Sequence, residues 1–266
     1  MPVSLLSVLP GGRFTSSTAE PLVKLTGGTH ALGTDVAMFD LAGRGTAVDV
    51  DSGRLLATDT PLSTGGSLFE AVGATVNTQQ TLRVDTALLE ATAPLLHLKN
   101  GSVLTSAADA ITLSGTSRLT AGSTLVAVDA SRLAVAMGAL VNVAGGSVLN
   151  VAGDLLSVRN GSIVSLLNGP LLSVSGGALA SIGGGLVAFG GSGGNLLSVS
   201  NSLCGGSCLL IGGVPVALLN GATAGNVSIG TGAIQNPGLG SIKLASPSTA
   251  LLSVSGANSK VTIGPK

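Results

Sequence analysis

The chain has 266 residues, enough for one or two domains or for a single elongated repeat array. Its 12 acidic and 12 basic residues balance, its pI is about 6.7, and it has no Trp, no Tyr and four Phe. That composition excludes the basic stripe and aromatic platforms of a nucleic-acid-binding surface, and a mean hydropathy of +0.63 points to a surface that is covered.

Residues 1–93 carry most of the charge: residues 1–100 hold nine of the twelve acids and six of the twelve bases. Met1 to Pro10 has no basic residue before its short apolar run, so it does not read as an intact signal peptide. Ser4-Leu-Leu-Ser-Val and Pro21-Leu-Val-Lys-Leu instead echo a phrase that becomes regular further on, and this part reads as degenerate coils of one solenoid. Asp49-Val50-Asp51-Ser52-Gly53 with Asp59 partly matches a calcium loop. It lacks the third ligand position and the closing Glu, so solvated acids on a strand and its turn outweigh a metal site.

Residues 94–189 carry the regular repeat. The phrase runs Pro94-Leu-Leu-His-Leu, Asp109-Ala-Ile-Thr-Leu, Thr124-Leu-Val-Ala-Val, Ala139-Leu-Val-Asn-Val, Asp154-Leu-Leu-Ser-Val, Pro170-Leu-Leu-Ser-Val and Gly185-Leu-Val-Ala-Phe. Successive starts lie 15 residues apart, with a single interval of 16, which signals stacked identical units. Leu96, Ile111, Val126, Val141, Leu156, Leu172 and Val187 form one apolar column, and Leu98 through Phe189 form a second. His97, Thr112, Ala127, Asn142, Ser157, Ser173 and Ala188 lie between them. Such alternation predicts strands with the apolar columns inward and the third column outward.

A second phrase, as in Gly101-Ser-Val-Leu, Gly146-Ser-Val-Leu and Gly161-Ser-Ile-Val, supplies another strand per unit. Asn100-Gly101, Asn160-Gly161, Asn168-Gly169 and Asn220-Gly221 are read as corners, because both residue types tolerate positive φ. The predicted fold is all-β, a single parallel β-solenoid of about 15-residue units. A coil could take one unit, one and a half, or two. The residue opening each apolar pair, Leu95 through Leu186, is either a second inward position at a bend or an exterior apolar ridge. The bend is preferred.

Residues 190–266 form looser coils of the same solenoid, with late copies at Asn195-Leu-Leu-Ser-Val and Ala250-Leu-Leu-Ser-Val. Cys204 and Cys208 flank Gly-Gly-Ser, and a short disulfide loop is the leading reading, ahead of two buried thiols and of a metal site. A disulfide would fit an oxidising compartment. His97 in the outward column is read as an exposed surface histidine. Neither it nor His30 has a second ligand at a metal-like spacing.

The Leu-Leu-Ser-Val-Ser-Gly and Gly-Ser-Val-Leu phrases resemble the coils of bacterial surface β-solenoids of the filamentous-haemagglutinin and autotransporter-passenger type, over about residues 94–256. That resemblance implies export and a role in adhesion or surface structure. Catalysis on a β-helix needs clustered acids and bases beside a bound sugar, yet the regular coils carry almost none, and no residue between Gly161 and Ile242 is charged. The sequence therefore predicts no enzymatic activity, no cofactor and no catalytic or metal residue. It predicts a structural or adhesive protein of the cell surface or extracellular space, a homo-oligomer or polymer with surface glycans as candidate partners, and no transmembrane span. The alternative is a carbohydrate-binding or carbohydrate-cleaving β-helix using the charged N-terminal third.

Overall fold

A computed structural model describes residues 4–9, 14–31, 37–42, 46–49, 54–57, 61–64, 66–191 and 194–199. Beyond these it describes strands at 210–211, 214–222, 226–229, 234–235, 240–244, 250–255 and 260–263, and side chains are described at 4–9, 14–31, 37–41, 66–191 and 194–198. These residues form a parallel β-solenoid without helix. One coil begins with Leu96–Lys99, continues through Val103–Ser106, Ile111–Ser114 and Arg118–Ala121, and returns beside its own start at Val126–Asp129. The four segments belong to four sheets, here called faces C, D, A and B in that order. Faces A to D hold nine, eight, seven and seven strands respectively.

The coil is thus two 15-residue units. Leu96 pairs with Val126, Ile111 with Val141, and Leu156 with Val187, so ladder partners lie about 30 residues apart. The first phrase falls alternately on faces A and C, and the second alternately on D and B. Faces A and C therefore oppose one another across the core. Phe39 of face A and Phe69 of face C meet there, ring centroids 6.2 Å apart and tilted by 60°.

Burial follows the predicted columns. Leu96, Ile111, Val126, Val141, Leu156, Leu172 and Val187 are fully buried, as are Leu98, Leu113, Val143, Val158 and Val174. Leu95, Ala110, Leu125, Leu140, Leu155, Leu171 and Leu186 are buried too, so the residue before each of these strands turns inward at a bend and no exterior ridge forms there. Each such Leu or Val adds about 1.5–3 kcal/mol of apolar burial. In the outward column Ala188 is an exception, only 8% exposed.

Two of the predicted corners use left-handed backbone, whereas Asn168-Gly169 bends without positive φ. Asn100, Gly101, Asn160 and Gly161 have φ of 55°, 82°, 56° and 74°, as their sequence predicts. Between Asp129 and Arg132 only Ala130, at φ 47°, adopts this geometry. The corner is therefore one residue shorter than its neighbours above and below: Val103 pairs with Arg132, and Arg132 with Ile163. The single 16-residue interval in the repeat, from Asp154 to Pro170, contains the longer Asn160-Gly161 corner.

Three features depart from the sequence reading. Asn220-Gly221 is no corner but lies inside the strand Val214–Ala222, paired with Ser173 and Val174. The strands Thr46–Asp49 and Arg54–Ala57 form an antiparallel hairpin, which the repeat did not announce, inserted between the face A and face B strands of one coil. Leu210–Ile211 likewise pairs antiparallel with Val214–Ala222.

Val143→Asp or Leu156→Asp is expected to abolish folding, because the carboxylate would be buried between coils without a partner. Ser157→Asp, in the outward column, is expected to retain the β-type far-UV circular dichroism of the parent. Asn142 is a poor control, because its amide donates to Asp109 Oδ2 at 2.9 Å. Equal tolerance of Asp at 156 and 157 would refute the facing assignment.

Candidate functional site

Outward residues of successive coils stand directly above one another, so charges on a face interact along the stack. On face C, Glu70 pairs in register with Lys24 below and His97 above. Its carboxylate lies 3.1 Å from Lys24 Nζ and 2.7 Å from Lys99 Nζ, and its side chain is only 8% exposed. Burial alone would raise the Glu70 pKa, but the hydrogen bonds and charges of Lys99 and Lys24 outweigh it and hold the carboxyl below its ordinary value. Three coils are thereby joined through one side chain. On face A, Arg83 grips Asp40 with two bonds of 2.9 and 2.7 Å, which raises the Arg83 pKa.

His97 is not the exposed histidine that the sequence suggests. Its side chain is 22% exposed and its Nδ1 stands 3.9 Å from Glu70 Oε2. Burial, and then the Lys99 charge, push its pKa below the ordinary 6.5, so the ring is neutral at pH 7. His30 is placed in the inward register of face D, paired with Val76, and its Nε2 lies 2.9 Å from the Gly27 carbonyl.

The acids of the regular coils hold the backbone. Asp109 Oδ1 accepts from the Ala139 N–H, and Asp154 Oδ1 from the Gly185 N–H at 2.8 Å. Each carboxylate opens a repeat phrase and caps the same position one coil further on. Asp129 accepts from Asn160 Nδ2, and Asp85 from Ser114 Oγ at 3.2 Å.

A buried polar ladder was not legible as such in the sequence. Ser102, Ser117, Ser131, Ser147 and Ser162 follow the corners and are at most 4% exposed. Ser102 Oγ accepts from the Ala74 N–H at 3.3 Å and donates to the Lys99 carbonyl at 2.7 Å. Ser162 Oγ accepts from the Ser131 N–H at 3.1 Å and donates to the Val128 carbonyl at 3.0 Å. Ser147 Oγ receives the Ser117 N–H, and Asn195 Oδ1 takes over from serine for the Ser162 N–H. Each hydroxyl satisfies backbone groups that the bend removes from the sheet ladder. The signal was the recurrent Ser of the second phrase; its inward direction was not.

One concavity accompanies these corners. Where the short Ala130 corner lies between the longer Asn100-Gly101 and Asn160-Gly161 corners, a notch of about 270 Å³ opens. Its lining includes Val103, Ser131, Arg132 and Ile163. Arg132 is exposed, and it forms no ion pair among the described residues.

Cys204, Cys208, Asp51 and Asp59 lie outside the described residues, and Asp49 ends the first strand of the hairpin. Among the described residues no group of three or more His, Cys, Asp or Glu is placed to hold a metal ion, and no helix is long and apolar enough to cross a membrane. Comparison of the chain with protein-family models, curated proteins and solved structures finds no match.

Ser162→Ala is expected to cost about 1–3 kcal/mol in urea unfolding, because the buried Ser131 N–H loses its acceptor and the Val128 carbonyl loses a donor. A loss below about 0.5 kcal/mol, the level of an ordinary surface change, would remove the ladder's structural role.

Acid is expected to weaken the N-terminal coils in two stages. The unfolded chain takes up a proton on His97 near pH 6.5 that the folded chain resists, so stability falls as pH drops below that value. Glu70, depressed in the folded state, adds stability above pH 4.5 that is lost as pH falls through its lower folded pKa. Thermal melts of His97→Gln should lack the first stage and those of Glu70→Gln the second. Unchanged acid profiles in both variants would contradict the assignment.

Proposed function

We propose that this chain is a non-enzymatic structural or adhesive protein of the cell surface or extracellular space that works as a repeated subunit assembling with its own copies. The reading draws on the resemblance of its repeat phrases to those of filamentous-haemagglutinin and autotransporter-passenger solenoids. The carrying observation is the division of labour among its polar groups. Asp40, Glu70, Asp85, Asp109, Asp129 and Asp154 are engaged by neighbouring coils. The described side chains from Gly161 to Ser198 present an uncharged exterior. Leu167 and Leu179 are 40% and 44% exposed there, with Met137 at 54% in the coil below Leu167. Interspersed charge is what normally keeps protein surfaces apart, and these coils have none. The engaged acids Asp40, Glu70 and Asp85 equally withdraw support from a carbohydrate-cleaving site in the N-terminal third.

The test is sedimentation velocity and electron microscopy of the full chain across a concentration series. Concentration-dependent oligomers or filaments are expected. Lys at Ser165, Ser173 and Ser198, all half-buried outward positions, should reduce association while leaving circular dichroism unchanged. A monodisperse monomer at high concentration, unaffected by the three lysines, would overturn the reading.

A further inference from the structure

We propose that the notch beside Arg132 binds a sugar acid, a pyranose ring bearing one carboxylate. The proposal supplies the adhesive part of the proposed function with a ligand class, and it rests on that reading for its biological setting alone. The site itself rests on three observations.

The first is the origin of the notch. Asn100-Gly101-Ser102 and Asn160-Gly161-Ser162 each place three residues between strands, whereas Ala130-Ser131 places two. The middle coil is therefore recessed between two protruding corners. A concavity of about 270 Å³ accommodates one monosaccharide ring and little more, near the lower end of known ligand sites.

The second is the isolation of Arg132. Glu70 lies against two lysines and Arg83 against Asp40. Arg132 has Val103 below it in the ladder and Ile163 above. Asp129, three residues earlier, already accepts from Asn160 Nδ2. The outward positions of face D around it are Asn77, Thr105, Ala134, Ser165 and Ser198, so no acid of that face competes for the guanidinium.

The third is the character of the walls. Val103 and Ile163 flank Arg132 in the ladder with small aliphatic side chains, and the corners contribute Gly101, Asn160 and Gly161 to the lining. Shallow C–H surface beside polar groups suits a hydroxylated ring better than an apolar side chain. A single planar guanidinium matches one carboxylate through two parallel hydrogen bonds, whereas a phosphate or sulfate site ordinarily gathers several donors.

The experiment is titration calorimetry on the full chain at low ionic strength, with oligogalacturonate as probe. Malto-oligosaccharide and inorganic sulfate serve as the neutral and ionic comparators. Binding of oligogalacturonate is expected, with at least tenfold weaker binding of both comparators. Arg132→Gln should weaken it at least tenfold. Insertion of Gly after Ala130, which restores the long corner while keeping Arg132, should do the same. Arg118→Gln, the counterpart on face B, should leave it within twofold.

Absence of oligogalacturonate binding would overturn the proposal. So would equal affinity for sulfate, or unchanged affinity in the Arg132 and insertion variants. Each variant's circular dichroism reports whether it still folds, and the Arg132→Gln result stands if the insertion variant does not. Because sedimentation in the absence of sugar reads self-association separately, failure of the sugar site and failure of the assembly reading are distinguishable.

Discussion

Everything in this molecule depends on the parallel backbone ladder that binds each coil to the next. A strand in such a ladder cannot slip by one residue without turning its apolar columns outward. Both units of a coil must therefore close to a nearly constant length. In the regular coils the strands keep their register, from Leu96–Val126 through Leu156–Val187, and corners absorb the variation. That is why a lost residue at Ala130 leaves the core columns in place and appears only as a surface notch.

The same constraint explains the polar interior of the corners. Bending a strand sharply takes its backbone groups out of the ladder, and burial forbids leaving them unpaired. The serines at 102, 117, 131, 147 and 162 bridge that gap from inside, while Asp109 and Asp154 bridge it from outside. Carboxylates that on another fold would suggest catalysis are here accounted for by orphaned N–H groups.

The apolar columns were legible in the sequence because alternation in a short strand has one physical reading. The coil length was not. Faces A and C carry the same phrase, so the chain displays its 15-residue unit, while closure depends on which unit pairs with which. Asn220-Gly221 shows a related limit. It is the same dipeptide as Asn100-Gly101, yet it runs through a strand because its ladder partners are Ser173 and Val174. A dipeptide permits a corner, and register decides whether one forms. The Lys24–Glu70–Lys99 cluster was invisible for a similar reason, since residues remote in sequence become neighbours only once the 30-residue stack exists.

Charge and neutrality then have different consequences for what can stack. A ladder is selective where acid and base stack directly, as Glu70 does on Lys24 and Arg83 on Asp40. A ladder of Ser, Ala and Asn imposes no such sign rule. Face A passes from Asp40 and Arg83 to Thr112, Asn142 and Ser173, and face C from Glu70 and His97 to Ala127, Ser157 and Ala188. The chain thus moves from coils whose outer surface recognises one neighbour to coils whose outer surface accepts any neighbour of like shape. If the chain assembles with its own copies as proposed, the loss of charge on these faces is a permissive condition for that assembly, while the charged coils, with Glu70 between Lys24 and Lys99, hold a fixed register within the chain.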